Sequence, residues 1–255
     1  MTHSGGAVYV YGVLPAADAG TVAAEGIDGT RVRTVEHRDL AALVSDLESE
    51  ALAAPAVRAH WRVLEAAAER ATVLPVRFGT VMAGEAAVRE ELLEPGAQRL
   101  EGLLRSLAGR VQLRVKGTYD EDALLRAVVL RAPAIAALRE RVRALPDDAG
   151  YYERISLGEM VASEIERVRA DDEQRALGRL APLAVGTRTE PAAEGGGAFD
   201  IAFLVERAGV DAFSRAVGEL RAELSDRVMI KYVGPMPPYN FADAEATPEG
   251  AATWA

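Results

Sequence analysis

Three histidines, His3, His37 and His60, are the side chains of this sequence whose ordinary pKa lies nearest neutrality. An imidazole can act as general base, proton shuttle or metal ligand, but each role needs a second group at a suitable spacing. No two of the three stand three or four residues apart, and no HExxH occurs, so a helical metal pair of that kind is absent. His3 falls in a terminal stretch expected to be disordered, His37 at a hairpin turn, and His60 beside Trp61 on a helix. For His60 the spacing favours a hydrogen-bonded structural role. No serine sits in a GxSxG elbow, and no GxxxxGK[ST] is available to cradle a phosphate. Gly195-Gly196-Gly197 precedes a strand, whereas a dinucleotide turn follows one and opens a helix. Cysteine is absent, which removes disulfides, thiolate metal sites and cysteine nucleophiles. The expectation is no catalytic residue, no metal and no cofactor.

Two stretches could instead bind a partner. In Val76-Arg77-Phe78-Gly79-Thr80, Arg77 is a cation beside an aromatic, able to bond a carboxylate or backbone carbonyls. The other is the run from Asp226 to Phe241. It opens as a β-former-rich strand, and Gly234-Pro235 is expected to stop it, because proline has no amide hydrogen for a sheet ladder. Pro237 and Pro238 should hold the following residues extended. Met236, Tyr239 and Phe241 then sit on a stiff backbone that loses little entropy on docking. Both stretches have a plainer reading: Arg77 pairs internally, Phe78 is core, and Tyr239 and Phe241 cap their own domain. The candidate partner-binding residues are therefore Arg77, Phe78, Pro235, Met236, Pro237, Pro238, Tyr239 and Phe241.

These stretches need elements to hold them. Ala7 to Leu14 reads as a strand apolar on both faces, stopped by Pro15. A loop or short helix over 16–30 leads to a hairpin of strands near 30–36 and 40–47. Pro55 fits the first turn of a helix reaching about Ala71, with Val57, Trp61, Leu64 and Ala68 on one face. Residues 72–82 are extended, with Pro75 forcing an edge or bend. Glu85 to Leu107 is helical, with a break or kink at Glu94-Pro95-Gly96. After it, 110–116 alternates as a half-buried strand. Asp120 caps a helix, Pro133 opens a second, and Gly150 to Leu180 forms one long charged helix whose charges read as a solvated face. Strands near 183–188, 199–205 and 226–233 follow, with a helix over 210–224 between the last two.

Both halves thus read βαββαβ. The fold class expected is α+β, with two modified ferredoxin-like domains, the second carrying a helical insertion. The expected divisions are a domain over 1–83, a helical connection over 84–109, a domain over 110–241 with the insertion at about 131–181, and a flexible tail over 242–255.

The 255 residues are 49% hydrophobic but only 5% aromatic, so the cores must rest on Leu, Val, Ile and Ala. A net charge of −10 and a pI near 5.0 oppose general nucleic-acid binding, which needs a basic face. No segment has the ~20 unbroken apolar residues that span a bilayer. The start lacks the basic and apolar regions of a secretory signal, so the chain is expected in the cytoplasm, without nucleic acid or lipid membrane as partner.

Several of these motifs, in order, carry a resemblance. Tyr9-Val10-Tyr11-Gly12-Val13, LAALVSDL at 40–47, the helix with His60 and Leu64, and TVLPVRFGTV at 72–81 come first. VQLRVK at 111–116, the aliphatic strand at 201–205 and GPMPPYNF at 234–241 follow. Together they resemble the gas vesicle protein F/L family (GvpF/GvpL). The sequence departs at Met236, where the family pattern commonly has Trp; Met can still fill an apolar pocket. The resemblance implies a non-enzymatic accessory or minor structural protein of gas vesicles. It would bind the hydrophobic shell protein A and other accessory proteins and support nucleation and assembly. Its place would be the gas vesicle, on the gas-facing side of the shell. A small-molecule-binding regulatory module, or an enzyme of dimeric ferredoxin-like type, are the competing readings.

Overall fold

The structure, a computed structural model, describes residues 6–47, 54–146, 150–193 and 195–242. His3, Glu194 of the glycine loop and residues 243–255 of the expected tail lie outside the described residues. Contacts divide the chain into two compact units: 1–112 together with 234–255, and 113–233.

The first unit is built on an antiparallel sheet. Its strands are β1 (Val8–Pro15), β2 (Arg33–His37), β3 (Leu40–Asp46), β4 (Leu74–Pro75) and β5 (Val81–Met82). They run in the order β2-β3-β1-β4, with β5 also on β1. The fourth position of a ferredoxin-like sheet is thus split between two short strands. β4 pairs with Gly12 and Val13, and β5 with Val8 and Tyr9. Pro75 sits on this edge, where its missing donor costs nothing. The register of β1 on β3 slips between Val10 and Gly12, leaving Tyr11 as the extra residue of a bulge. Gly12 is required here, since a Cβ would lie 2.8 Å from the carbonyl oxygen of Leu74.

Helix α1 (Ala54–Ala68) covers one face of this sheet. Its buried side is Ala56, Ala59, His60, Val63, Leu64 and Ala67. The expected face was rotated: Val57 and Trp61 are 39% and 38% exposed. Alanines at 56, 59 and 67 share the buried side with His60, Val63 and Leu64, and Val57 and Trp61 fall to the flank. Between β1 and β2, where the sequence allows a loop or one short helix, the chain makes short 3-10 turns at Ala16–Thr21 and Ile27–Gly29. The segment expected as a connection packs against β1 and β3 and belongs to this unit. It runs α2 (Glu85–Ala87), a π-helical stretch (Val88–Leu93) and α3 (Glu94–Leu107). The expected break at Pro95 is instead this wide turn, in which the Glu94 amide bonds Arg89. With helices on both faces, β1 is buried from Val8 to Leu14 and β3 from Leu40 to Ser45, which is why β1 shows no polar alternation.

The second unit repeats the topology. Strands β6 (Arg110–Tyr119), β7 (Gly186–Glu190), β8 (Gly197–Glu206) and β9 (Val228–Met236) lie in the order β7-β8-β6-β9. The unit boundaries divide β6 after Gln112 and β9 after Val233. Helices α4 (Glu121–Arg131), α5 (Pro133–Ala144) and α6 (Tyr151–Leu180) come between β6 and β7, and α7 (Val210–Glu223) between β8 and β9. Asp120 caps α4 by accepting from the Ala123 amide, as its position predicts. One core joins Leu113, Val115, Phe199, Ile201, Phe203 and Val205 of the sheet to Phe213, Val217 and Leu220 of α7. The whole is the α+β, doubly ferredoxin-like architecture with a helical insertion in the second half.

Two local expectations are corrected. β9 does not stop at Gly234-Pro235 but continues to Met236. The residues after Pro238 are not extended. Tyr239–Phe241 close a 3-10 turn, with the Phe241 and Ala242 amides donating to the Pro238 carbonyl.

Candidate functional site

The eight candidate residues, at 77–78 and 235–241, all belong to the first unit. β1 turns the Tyr9 and Tyr11 rings toward α1, and both are fully buried. The Tyr9 hydroxyl accepts from the Gly79 amide at 3.0 Å and hydrogen-bonds His60 Nδ1 at 2.9 Å. Burial pushes its pKa up to about 12, against the lowering effect of the Gly79 bond. Tyr11 accepts from the Ile27 amide at 2.8 Å and bonds Ser45 Oγ at 2.8 Å, which ties the 3-10 turn to the sheet. Burial raises its pKa as well.

His60 is 1% exposed, and burial lowers its pKa to about 4. Its ring stacks on Tyr11 at 5.7 Å and meets Tyr9 and Phe78 edge-on at 5.7 Å. At neutral pH the imidazole is uncharged, and its Nε2 has no hydrogen-bond partner among the described residues. This is a histidine packed as an aromatic and held by one bond.

Arg77 and Phe78 stand at the strand edge. Arg77–Thr80 is a tight turn in which Gly79 takes φ +91° and the Arg77 carbonyl accepts from the Thr80 amide and hydroxyl. Phe78 occupies the outer corner and is 37% exposed, one edge of its ring resting on Tyr9 and His60. Arg77 is exposed. The turn therefore presents a cation and half an aromatic ring from a rigid base.

The C-terminal stretch divides differently. Pro235 is exposed and Met236 half-buried, but Pro237, Pro238 and Phe241 are buried. Tyr239 packs on the Trp61 ring at 4.5 Å and joins the α1 core. Burial above all raises its pKa. A pair of amides locks the turn. The Asn240 amide donates to Gln112 Oε1 at 2.8 Å, and Gln112 Nε2 donates to Asn240 Oδ1 at 2.7 Å and reaches Met236 Sδ at 3.6 Å. Of the eight candidates, the geometry thus exposes Arg77, Phe78 and Pro235, half-exposes Met236, and uses the others to fix the backbone.

The second unit holds a buried polar centre on α6, whose charges read in sequence as a solvated face. Asp172 on α6 is fully buried. It accepts from Tyr119 at 3.1 Å, from Arg227 Nε at 2.9 Å and from Arg175 at 2.9 Å. Across the sheet Arg114 grips Asp200 with two bonds of 2.7 and 2.9 Å, and Lys116 adds a third contact at 2.8 Å. Burial opposes the charge on Asp200, yet the bonds and charges of Arg114 and Lys116 hold its carboxyl below the usual range. Among the described residues no group of three or more His, Asp or Glu could hold a metal ion, and no helix is long and apolar enough to cross a membrane.

This architecture is met in known proteins. The structure superimposes on the crystal structure of the gas vesicle protein GvpF from Anabaena sp. PCC7120 with a TM-score of 0.84 and 26% identity, covering 94% of this chain and 100% of the other. GvpF from Microcystis aeruginosa matches with a TM-score of 0.79 and 25% identity, over 93% and 99% of the two chains. Gas vesicle protein F of Streptomyces sp. (strain CB03234) is 35% identical over 83% of this chain and 88% of its own length. Gas vesicle protein L of the same strain is 28% identical over 91% and 88%. The family model described as gas vesicle synthesis protein GvpL/GvpF matches residues 7–243. With that match running through both units, the chain belongs to the GvpL/GvpF family.

Proposed function

We propose that this chain binds the hydrophobic shell protein of the gas vesicle and supports nucleation and assembly of the shell, through the exposed turn at Arg77 and Phe78 with Pro235 and Met236. Other accessory proteins of the vesicle are further partners, and the gas-facing side of the shell is where the bound chain would reside. A shell protein that turns an apolar face to gas aggregates in water unless a soluble partner covers it. An acidic chain with a net charge of −10 keeps such a complex dispersed. The observation that carries this reading is the half-exposed Phe78 ring, held at a sheet edge by Tyr9 and His60 and flanked by the exposed Arg77. An anchor already ordered before contact loses little entropy on binding. Beside it, the split edge strand leaves backbone positions at which an incoming strand could add.

The test is co-expression of this chain with a gas vesicle shell protein, followed by measurement of shell protein in the soluble fraction. The wild-type chain should hold it in solution. Phe78→Ser with Arg77→Glu, both on an exposed turn, should release it while leaving thermal unfolding of the isolated chain unchanged. Insoluble shell protein in the presence of the wild-type chain would refute the proposal.

A further inference from the structure

The helical insertion of the second unit carries an open groove of about 630 Å³. Leu125 and Val129 of α4 and Leu157 and Val161 of α6 line it, and α5 adds Ile135. Leu125 is 41% exposed, and Leu130, also on the groove, is 83% exposed. Apolar side chains this open, grouped on one face, are the mark of a surface that another molecule covers.

The charges around it are informative. Along α6 and at the end of α4, arginines are engaged by carboxylates: Arg131 by Glu164 and Asp171, Arg167 by Glu164, Arg169 by Glu166, Arg175 by Asp172. Arg126 and Arg139, at the groove, have no ion pair among the described residues. The one carboxylate lining the groove is Asp122. The rim is therefore net basic on a chain that is acidic as a whole.

We propose that this groove docks an amphipathic helix of a partner protein, one whose apolar stripe is flanked by carboxylates that pair with Arg126 and Arg139. The walls are helices, so they offer no free ladder of backbone donors and acceptors. An extended segment laid on them would bury its own amides unpaired, whereas a helix satisfies its amides internally. α4 and α5, with 11 and 12 residues, give the groove a length of roughly 16–18 Å, which matches about three helical turns. A second copy of this chain is disfavoured by the mutual repulsion of two bodies of charge −10. The site lies in the other unit from Arg77 and Phe78, and this inference does not rest on the shell-protein proposal.

The probe is a pair of fluorescein-labelled helical peptides of about 14 residues. They share a leucine stripe at i, i+3, i+4 and i+7 and are flanked by Glu in one and Lys in the other. Fluorescence anisotropy with the full chain should show saturable binding of the Glu-flanked peptide and a clear preference for it over the Lys-flanked one. Leu130→Asp should weaken it by about tenfold or more, and Arg126→Glu with Arg139→Glu should reverse the preference. All three positions are exposed, and thermal unfolding checks each variant. The wild-type preference decides the matter even without them. No saturable binding, or equal binding of both peptides, overturns the proposal. So does a dimer in sedimentation that Leu130→Asp dissolves, which would assign the groove to a second copy.

Discussion

The indole of Trp61 and the ring of Tyr239 lie 4.5 Å apart and inclined by 42°, so the flank of α1 holds the turn that follows β9. Trp61 stands on the flank of its helix, whose buried side is made by Ala56, Ala59, His60, Val63, Leu64 and Ala67. Aromatic pairs in such offset geometry contribute about 0.5–1.5 kcal/mol beyond their buried area. A double-mutant cycle with Trp61→Ala and Tyr239→Ala should return a coupling of about 1 kcal/mol in urea unfolding. Additive losses would mean that the rings touch without stabilising each other. The buried Tyr239 hydroxyl has no partner among the described residues. Tyr239→Phe removes a desolvated polar group and should leave stability equal or higher by about 1 kcal/mol.

His60 should make folding stability depend on pH. Its folded pKa, lowered to about 4 by burial, is below the unfolded value of about 6.5. Between those values the unfolded chain binds a proton that the folded chain refuses, so stability is full above pH 6.5 and falls as pH drops toward 4. The loss across that window is about 3 kcal/mol. Asp200 acts on a lower window. Its folded pKa is depressed, so its contribution is present above the unfolded value of about 3.9 and is lost as pH falls through the folded one. Urea midpoints measured from pH 7.5 to 4.5 should decline for wild type and flatten in His60→Asn. An unchanged slope in that variant would assign the acid limb elsewhere.

Much of this fold is legible in the sequence, because the strand and helix periods and the Asp120 cap act locally. Two buried faces on β1 announce themselves as an unbroken apolar run. What sequence could not give has a common physical origin in long-range packing. The rotation of α1 depends on which side is buried, here that of Ala56, Ala59 and Ala67, and a large Trp61 in the pattern misdirects the reading. The turn at Tyr239 depends on Gln112, 128 residues away in sequence from Asn240. Asp172 looks like any carboxylate on a charged helix until Tyr119 and Arg227 fold onto it. The candidate stretches fared unevenly: the Arg77-Phe78 turn stands exposed, whereas proline stiffness around 237–238 is spent within the unit, beneath Tyr239 and Phe241.

Asp172 is the residue whose loss should be felt most in the second unit. It gathers Tyr119, Arg175 and Arg227 around a carboxylate with no exposure, and its partnership also raises the pKa of Arg227. Removing one member of a buried charged set leaves the others desolvated and unpaired, at a cost of about 3–5 kcal/mol. Asp172→Ala should lower the unfolding free energy by that order, while Asp171→Ala, an exposed neighbour paired with Arg131, should change it by less than about 1 kcal/mol. Equal effects at the two positions would show that burial at Asp172 carries no special weight.

The reciprocal amide bonds between Gln112 and Asn240 give the last prediction, one of local rather than global stability. Gln112 is 1% exposed and satisfies both the backbone amide and the side chain of Asn240. Gln112→Leu keeps the volume but strands that backbone N–H, a loss of about 1–3 kcal/mol confined to the turn. The rest of the first unit keeps its sheet and its α1 core. Hydrogen exchange followed by mass spectrometry should therefore show faster exchange over 236–242 in the variant, with β1 and β3 still protected. If exchange instead rises uniformly across the first unit, the turn opens only when the whole unit does, and the clamp is part of the global core.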